Sequence, residues 1–271
     1  MGHKIYLIPA WILFSISLCT TVQAEVQPVK KWELGVGMGA VTGPDYRGSD
    51  EYRHFIAPIP YVIYRGKYLR SDRDGLRGKF LSTDHYEFTL SASATFSPDA
   101  DDNTLREGMP ELGSTIEFGP AININLTGKD LTEGWYLHLP WRGVFSIADD
   151  NSGYIGSHFQ PQLIYRDKWA DWALTYRAGI SYASDSYHSH YYTVQTEYAT
   201  ATRPAFNVHG GYSGWNNQLA LSRTFYPNNM KTRLAFFIRY DNISGTNFNA
   251  SPLVVTDNAV RSGIALIWVI Q

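Results

Sequence analysis

Residues 133–183 hold three long segments in which apolar and polar side chains alternate one by one, separated by short breaks. In the first, Trp135, Leu137, Leu139, Trp141, Phe145 and Ile147 share one face, and Tyr136, His138, Arg142 and Ser146 share the other. The second, from Tyr154 to Arg166, sets Ile155, Phe159, Pro161, Leu163 and Tyr165 against His158, Gln160, Gln162 and Arg166. The third sets Trp172, Leu174, Tyr176, Ala178, Ile180 and Tyr182 against Thr175, Arg177, Gly179 and Ser181. A period of two is that of an extended strand, because successive side chains leave opposite faces of the backbone.

Each segment is longer than the roughly five or six residues usual for a strand in a soluble domain. Aromatic residues gather at the segment ends: Trp135, Tyr154, Tyr165, Trp169, Trp172 and Tyr182. A strand crosses the hydrocarbon layer in about ten tilted residues, with aromatic girdles at both interfaces. The pattern therefore predicts an all-β, closed, antiparallel transmembrane barrel.

Composition agrees. The mean hydropathy of −0.26 is compatible with a barrel, since half of every strand faces a polar interior. Beyond the amino terminus no run of about eighteen apolar residues occurs, which excludes helical spans. A net charge of −2 in 271 residues gives no electrostatic case for nucleic acid as a partner. Residues 1–24 read as a secretory signal peptide: Lys4, an apolar stretch from Ile5 to Leu18, and Val22-Gln23-Ala24 at the cleavage site. The lone cysteine, Cys19, lies inside it and follows Leu18, where a lipoprotein site wants a small residue, so residues 25–271 form a barrel without disulfide or thiolate chemistry.

Ten stretches alternate clearly, the three above among them: 32–42, 53–64, 86–96, 114–127, 133–147, 154–166, 171–183, 213–226, 230–241 and 259–270. Residues 67–82 make either one bent strand or a short hairpin about Asp72-Arg73-Asp74-Gly75. Single-chain bacterial barrels have an even strand number, so the hairpin is preferred and gives twelve strands, with ten as the alternative. Twelve also places the short links on one side and the longer ones, 43–52, 97–113, 148–153, 184–212 and 242–258, on the other. In 53–64, Pro58 and Pro60 cannot donate to a ladder and predict a bulge or an irregular seam. No stretch of helical period competes.

The motifs Gly43-Pro44-Asp45-Tyr46-Arg47-Gly48-Ser49, Pro58-Ile59-Pro60-Tyr61-Val62-Ile63-Tyr64-Arg65-Gly66 and Leu69-Arg70-Ser71-Asp72-Arg73-Asp74-Gly75-Leu76 resemble those of the MipA/OmpV family of outer-membrane proteins. So do Glu117-Phe118-Gly119-Pro120, Tyr191-Tyr192-Thr193-Val194 and Ser251-Pro252-Leu253-Val254, in matching order along the chain. The resemblance implies a bacterial outer-membrane barrel in contact with outer-membrane lipid. It also implies a scaffold joining a lytic transglycosylase to a penicillin-binding synthase during murein growth, with porin-like and adhesin-like roles in other branches. The ending Trp268-Val269-Ile270-Gln271 departs from the family's usual aromatic last residue, with Trp268 nearby as a substitute.

The chemistry-bearing candidates are few. Glu87, Glu117, Arg142, Arg177, Arg233 and Arg239 fall on the lumen face, where they form either a polar path for a small anion or paired filler, the pairing being what isolated buried charge demands. His138 and His158 fall inward on adjacent strands near Arg142 and Gln160. Ser146 and Ser157 are near them in sequence, but Ser157 points outward and no nucleophile-elbow spacing exists, so no catalytic residue is assigned and the chain reads as a non-enzyme. His188 and His190 lack a third ligand, and Asp99, Asp101 and Asp102 lack the six or more oxygens of a calcium site. No metal or cofactor is expected. The 184–212 segment, with Tyr187, His188, His190, Tyr191 and Tyr192, reads first as a wet surface loop, the alternative being that its aromatics meet a partner or fold into the barrel mouth.

Overall fold

The computed structural model describes residues 31–65, 69–72, 75–83, 85–95, 103–127, 131–147 and 152–270. The leader expected at 1–24 and the acidic residues Asp99, Asp101 and Asp102 lie outside them. The strands are β1 (Trp32–Pro44), β2 (Tyr52–Arg65), β3 (Leu69–Asp72), β4 (Gly75–Ser82), β5 (Tyr86–Thr95), β6 (Thr115–Asn125) and β7 (Gly134–Ser146). They continue as β8 (Gly153–Phe159), β9 (Gln162–Trp169), β10 (Trp172–Ala183), β11 (Gly211–Phe225), β12 (Thr232–Asn242) and β13 (Asn258–Val269).

Every ladder is antiparallel, and β1 pairs with β13 from Gly35↔Val269 to Thr42↔Ser262, which closes the sheet on itself. Closure is what lipid demands, because an open edge would leave backbone donors and acceptors facing hydrocarbon. β8 and β9 both pair with β7 and β10, and are one wall member broken at Gln160-Pro161, where proline has no N–H to give. Counted that way the wall has twelve members, an even number as the parity argument requires, with Leu69–Asp72 and Gly75–Ser82 paired as the hairpin β3–β4.

The alternation expected from sequence is the alternation observed. In β1, Trp32, Leu34, Val36 and Met38 are exposed on the lipid face, while Glu33, Gly37 and Gly39 are buried on the other. Aromatic residues form two belts. Trp32, Tyr86, Trp135, Trp169, Trp172 and Tyr226 lie toward the end where β1 begins and β13 stops, and Tyr52, Tyr154, Tyr182, Tyr212 and Trp215 toward the far end.

Two bulges change the register. Val144↔Gly156 is followed by Phe145↔Tyr154, so Ile155 is an extra residue on β8. Ile155 is only 7% exposed, and Tyr154 takes the outward place, which corrects the expectation that Ile155 faces lipid. Ile180↔Trp215 is followed by Tyr182↔Tyr212, which leaves Ser213 and Gly214 as the pair that shifts β11. Gly214 has φ +99°, and a Cβ there would stand 2.4 Å from the Asn242 carbonyl oxygen, so only glycine fits.

The long links also fold. The 184–212 segment contains a helix, α1 (Asp185–Tyr192), N-capped by Ser184, whose Oγ accepts from the Tyr187 N–H. Helical period was not visible in the sequence, because its buried residues, His188 and Tyr192, give one polar and one half-polar contact in only two turns. The segment is a plug rather than a wet loop. Tyr46, Leu112, Tyr192, Val194, Val208, Ile243, Phe248 and Leu253 form a hydrophobic core from four different links, at the end away from the start of β1 and the finish of β13.

Candidate functional site

The plug is held together by the motif residues. Tyr46 donates from its hydroxyl to the Leu253 carbonyl oxygen (2.7 Å), and Tyr192 to that of Arg47 (2.9 Å). Asp45 pairs with Arg53 (2.7 Å) and accepts from the Asn103 side chain (2.8 Å), which also donates to Ser49 Oγ (3.1 Å). Gly48 turns the chain at φ +110°, and its carbonyl accepts from Val255 and Thr256. Pro44 ends β1 just before this turn, and Gly43 lies within reach of Arg261. Ser251 Oγ donates to the Tyr192 carbonyl oxygen (2.7 Å). Three of the motifs read in sequence therefore meet at one place.

Arg47 ties the plug to the wall by donating to the Ser213 carbonyl oxygen (2.6 Å) and Ser213 Oγ (2.9 Å). His188 Nε2 meets the same Oγ at 3.0 Å, while its Nδ1 meets the His209 carbonyl oxygen at 2.7 Å. This serine–histidine pair was not legible in sequence, since Ser213 turns inward only through the β11 bulge. Both residues are 0% exposed, and the third partner is a backbone carbonyl, so the pair functions as a tether with no access for a substrate. Burial lowers the His188 and His190 imidazoles below their ordinary value and keeps them neutral. Burial also pulls the Arg106 guanidinium down to about 10, yet it stays charged and donates to the Tyr191 and Pro110 carbonyl oxygens.

Beneath the plug lies a polar chamber of about 170 Å³, bordered by Arg47, Glu117, His158, Tyr187, Asp241 and Arg261. Arg142 and Arg239 join it to a second cavity of about 340 Å³, bordered also by Asn123, His138, Arg177 and Gln218.

The sequence-chosen charges are spread through the interior in separate groups. Glu117 lies 3.4 Å from Arg142, and its Oε2 is 3.9 Å from His158 Nδ1. Arg142 also donates to Ser91 Oγ (2.7 Å), and His158 stacks on Tyr187 of α1 with ring centroids 5.5 Å apart. Lower down, Glu87 accepts from Asn123 (3.1 Å), whose Oδ1 lies 2.7 Å from His138 Nδ1. Nearest the termini, Arg233 donates to Tyr61 and Ser222, and Tyr61 donates to Glu33, which pairs with Lys231. Arg239 makes a two-pronged pair with Asp241 (2.7 and 2.8 Å). Arg177 borders both the 340 Å³ cavity and the wall near Gln218.

His138 and His158 are not brought together: His138 is opposite Gln162 and His158 opposite Arg142. Ser146 Oγ donates to the Leu112 carbonyl oxygen rather than to a histidine. Among the described residues no three His, Cys, Asp or Glu side chains converge on a metal position.

Comparison with known proteins gives a consistent result. The family model described as MltA-interacting protein MipA matches residues 36–270. Outer membrane protein Omp26La of Vibrio anguillarum and outer membrane protein OmpV of Vibrio cholerae are each 27% identical over 198 residues, which is 72% of this chain and 71% of theirs. Among solved structures, an outer membrane channel from Pseudomonas putida F1 superposes with a TM-score of 0.43 at 12% identity, over 91% of this chain and 100% of that one. A bacterial polysaccharide outer membrane secretin gives 0.42 at 9% identity, over 88% and 98%.

Proposed function

This chain belongs to the MltA-interacting protein MipA family and is an outer-membrane β-barrel, and on that premise we propose that it acts as a plugged anchor that holds a murein-cleaving enzyme at the membrane. The observation that carries this reading is the plug. Side chains from four links, including Phe248, Leu253 and Tyr192, are buried together across the far mouth, and the charges below are engaged with one another. A lumen so filled favours holding over steady conduction.

The family's name supplies the partner, MltA, which the resemblance implies to be a lytic transglycosylase. A penicillin-binding synthase, the second partner implied by resemblance, belongs to the same proposal. Links on the terminal side are short, such as 170–171 between β9 and β10. They are too small alone for the roughly 800 Å² per partner of a standard interface. The exposed apolar rim, with Trp169, Tyr226 and Met230, extends that surface. Crosslinking in intact envelopes followed by identification of the attached proteins tests the proposal. Recovery of a lytic transglycosylase supports it, and a catch containing no murein enzyme overturns it.

A second reading, a gated channel, is favoured by the two joined cavities bordered by Arg142 and Arg239. Planar-bilayer recordings separate the two. Sustained current through the unaltered protein supports the channel, and silence supports the anchor.

A further inference from the structure

One sector of the wall departs from the rule that barrel interiors are polar. The residues of β2 opposite inward-facing β1 positions are Arg53, Phe55, Ala57, Ile59, Tyr61 and Ile63, so between its polar members the inner face carries apolar side chains as the outer face does. Phe55 is 41% exposed although it points inward. A strand with two apolar faces is the pattern of one covered on both sides, and one side here is lipid.

Among the described residues the neighbouring wall is incomplete. β3 pairs with β2 only at Tyr64↔Ser71 and Arg65↔Arg70, and β4 pairs with β5 no further than Ser91. At about 3.3 Å per residue, the four residues of β3 climb roughly 13 Å of a wall that β2 crosses with 14 residues. Above the hairpin, β2 from Tyr52 to Ile63 has only β1 as ladder partner, and β5 from Ala92 to Thr95 has only β6, among the described residues. Pro58 and Pro60 fit this edge. The β1–β2 register runs unbroken through both, so the N–H groups they lack are missing from the side away from β1. The prolines mark a seam, and no bulge.

At this seam lies a cavity of about 690 Å³, bordered by Gly39, Val41, Phe55, Pro58, Ile59 and Ala94. Small-molecule sites run about 300–1,000 Å³ and are mostly apolar with a few placed polar groups. The placed groups here are Arg261, Arg53 and Asp45. Asp45 is engaged by Arg53, and Asp241, held at both oxygens by Arg239, is also the carboxylate that faces Arg261, so two arginines share one acid and net positive charge remains where the apolar cavity meets the polar chamber. On the lipid face of the same strand Ile56 is 78% exposed.

We propose that this seam is a lateral binding site for a single-chain amphiphile with an anionic head, such as a long-chain carboxylate, that enters from the hydrocarbon between β2 and β5. Its tail lies against Phe55, Pro58 and Ile59 and completes the apolar cover of the β2 inner face. Its carboxylate faces Arg261. The site is independent of the anchoring role.

The test titrates the purified full-length barrel with cis-parinaric acid and with its methyl ester, following probe fluorescence. Saturable binding of the acid is expected, weakened roughly tenfold or more by Ile59→Glu, which puts a charge against the tail. Arg261→Gln is expected to weaken the acid by roughly fivefold or more and to leave the ester unchanged. Absence of saturable binding, or equal binding by Ile59→Glu, overturns the proposal. Because either variant can impair assembly, a diazirine-bearing fatty acid is also photolysed on the unaltered protein. Adducts on Phe55, Ile59 or Thr95 support the site, whereas adducts confined to outward residues such as Val36, Met38 and Ile56 show annular lipid only and refute it.

Discussion

Replacing Phe248 by alanine tests whether the plug is a packed structure or a resting place for mobile links. Phe248 is 0% exposed, stacks on Tyr192 with centroids 3.9 Å apart and planes within 2°, and meets the His188 ring edge-on at 4.7 Å. A buried phenylalanine removes some 150–250 Å² from water, worth roughly 4–6 kcal/mol at 25 cal/mol/Å². Phe→Ala changes in cores cost about 3–5 kcal/mol, and the two values agree. The barrel ladders do not depend on this side chain, so the loss falls on the local opening of the plug. At 4 kcal/mol, the population of opened plug rises by roughly 10³-fold, each 1.4 kcal/mol being tenfold. Hydrogen-exchange mass spectrometry reads this directly, as faster exchange in peptides covering 185–194 and 243–254 with peptides of β11 and β12 unchanged. If protection in those two stretches falls by less than tenfold, the links are not a cooperative plug and the argument for a closed mouth fails.

Acid should loosen the same element. The buried His188 and His190 stay neutral when packed, whereas an opened plug exposes them to protonation at their ordinary value of about 6.5. Their contribution is full above that pH and is lost as pH falls below it, so protease cleavage of the 184–212 link should be flat from pH 8 to 7 and rise below about 6.5; a profile flat to pH 5 contradicts this. Asp241→Asn removes one partner of a nearly buried ion pair and should cost about 3 kcal/mol in urea unfolding, with the added Arg239→Gln recovering most of it, since a stranded charge costs more than a missing pair. Equal midpoints for the single and double variants count against that pairing. Gly119→Ala puts a Cβ 2.0 Å from the Trp141 carbonyl oxygen, so the variant should fail to assemble, visible as loss of the heat-modifiable gel shift.

The sequence by itself determined the barrel. Strand alternation is a property of neighbouring residues, so Trp135 to Ile147 declares its two faces without reference to the rest of the chain, and twelve wall members follow from ten such stretches plus the hairpin at 67–82 that an even number prefers. Lipid then requires the sheet to close, which no tertiary detail has to decide. The motifs could be recognised but not placed, since Tyr46 and Leu253, joined by a hydrogen bond, are 207 residues apart. Only the folded structure decided that three motifs form a plug, that one extra residue turns Ile155 inward, and that the β11 bulge brings Ser213 to Arg47 and His188. It also decided that the apolar inner face of β2 adjoins a gap, because a short hairpin and two proline-bearing positions matter only once β5 stands opposite. Periodicity reports which way each side chain points; what it meets there is set by contacts between distant parts of the chain.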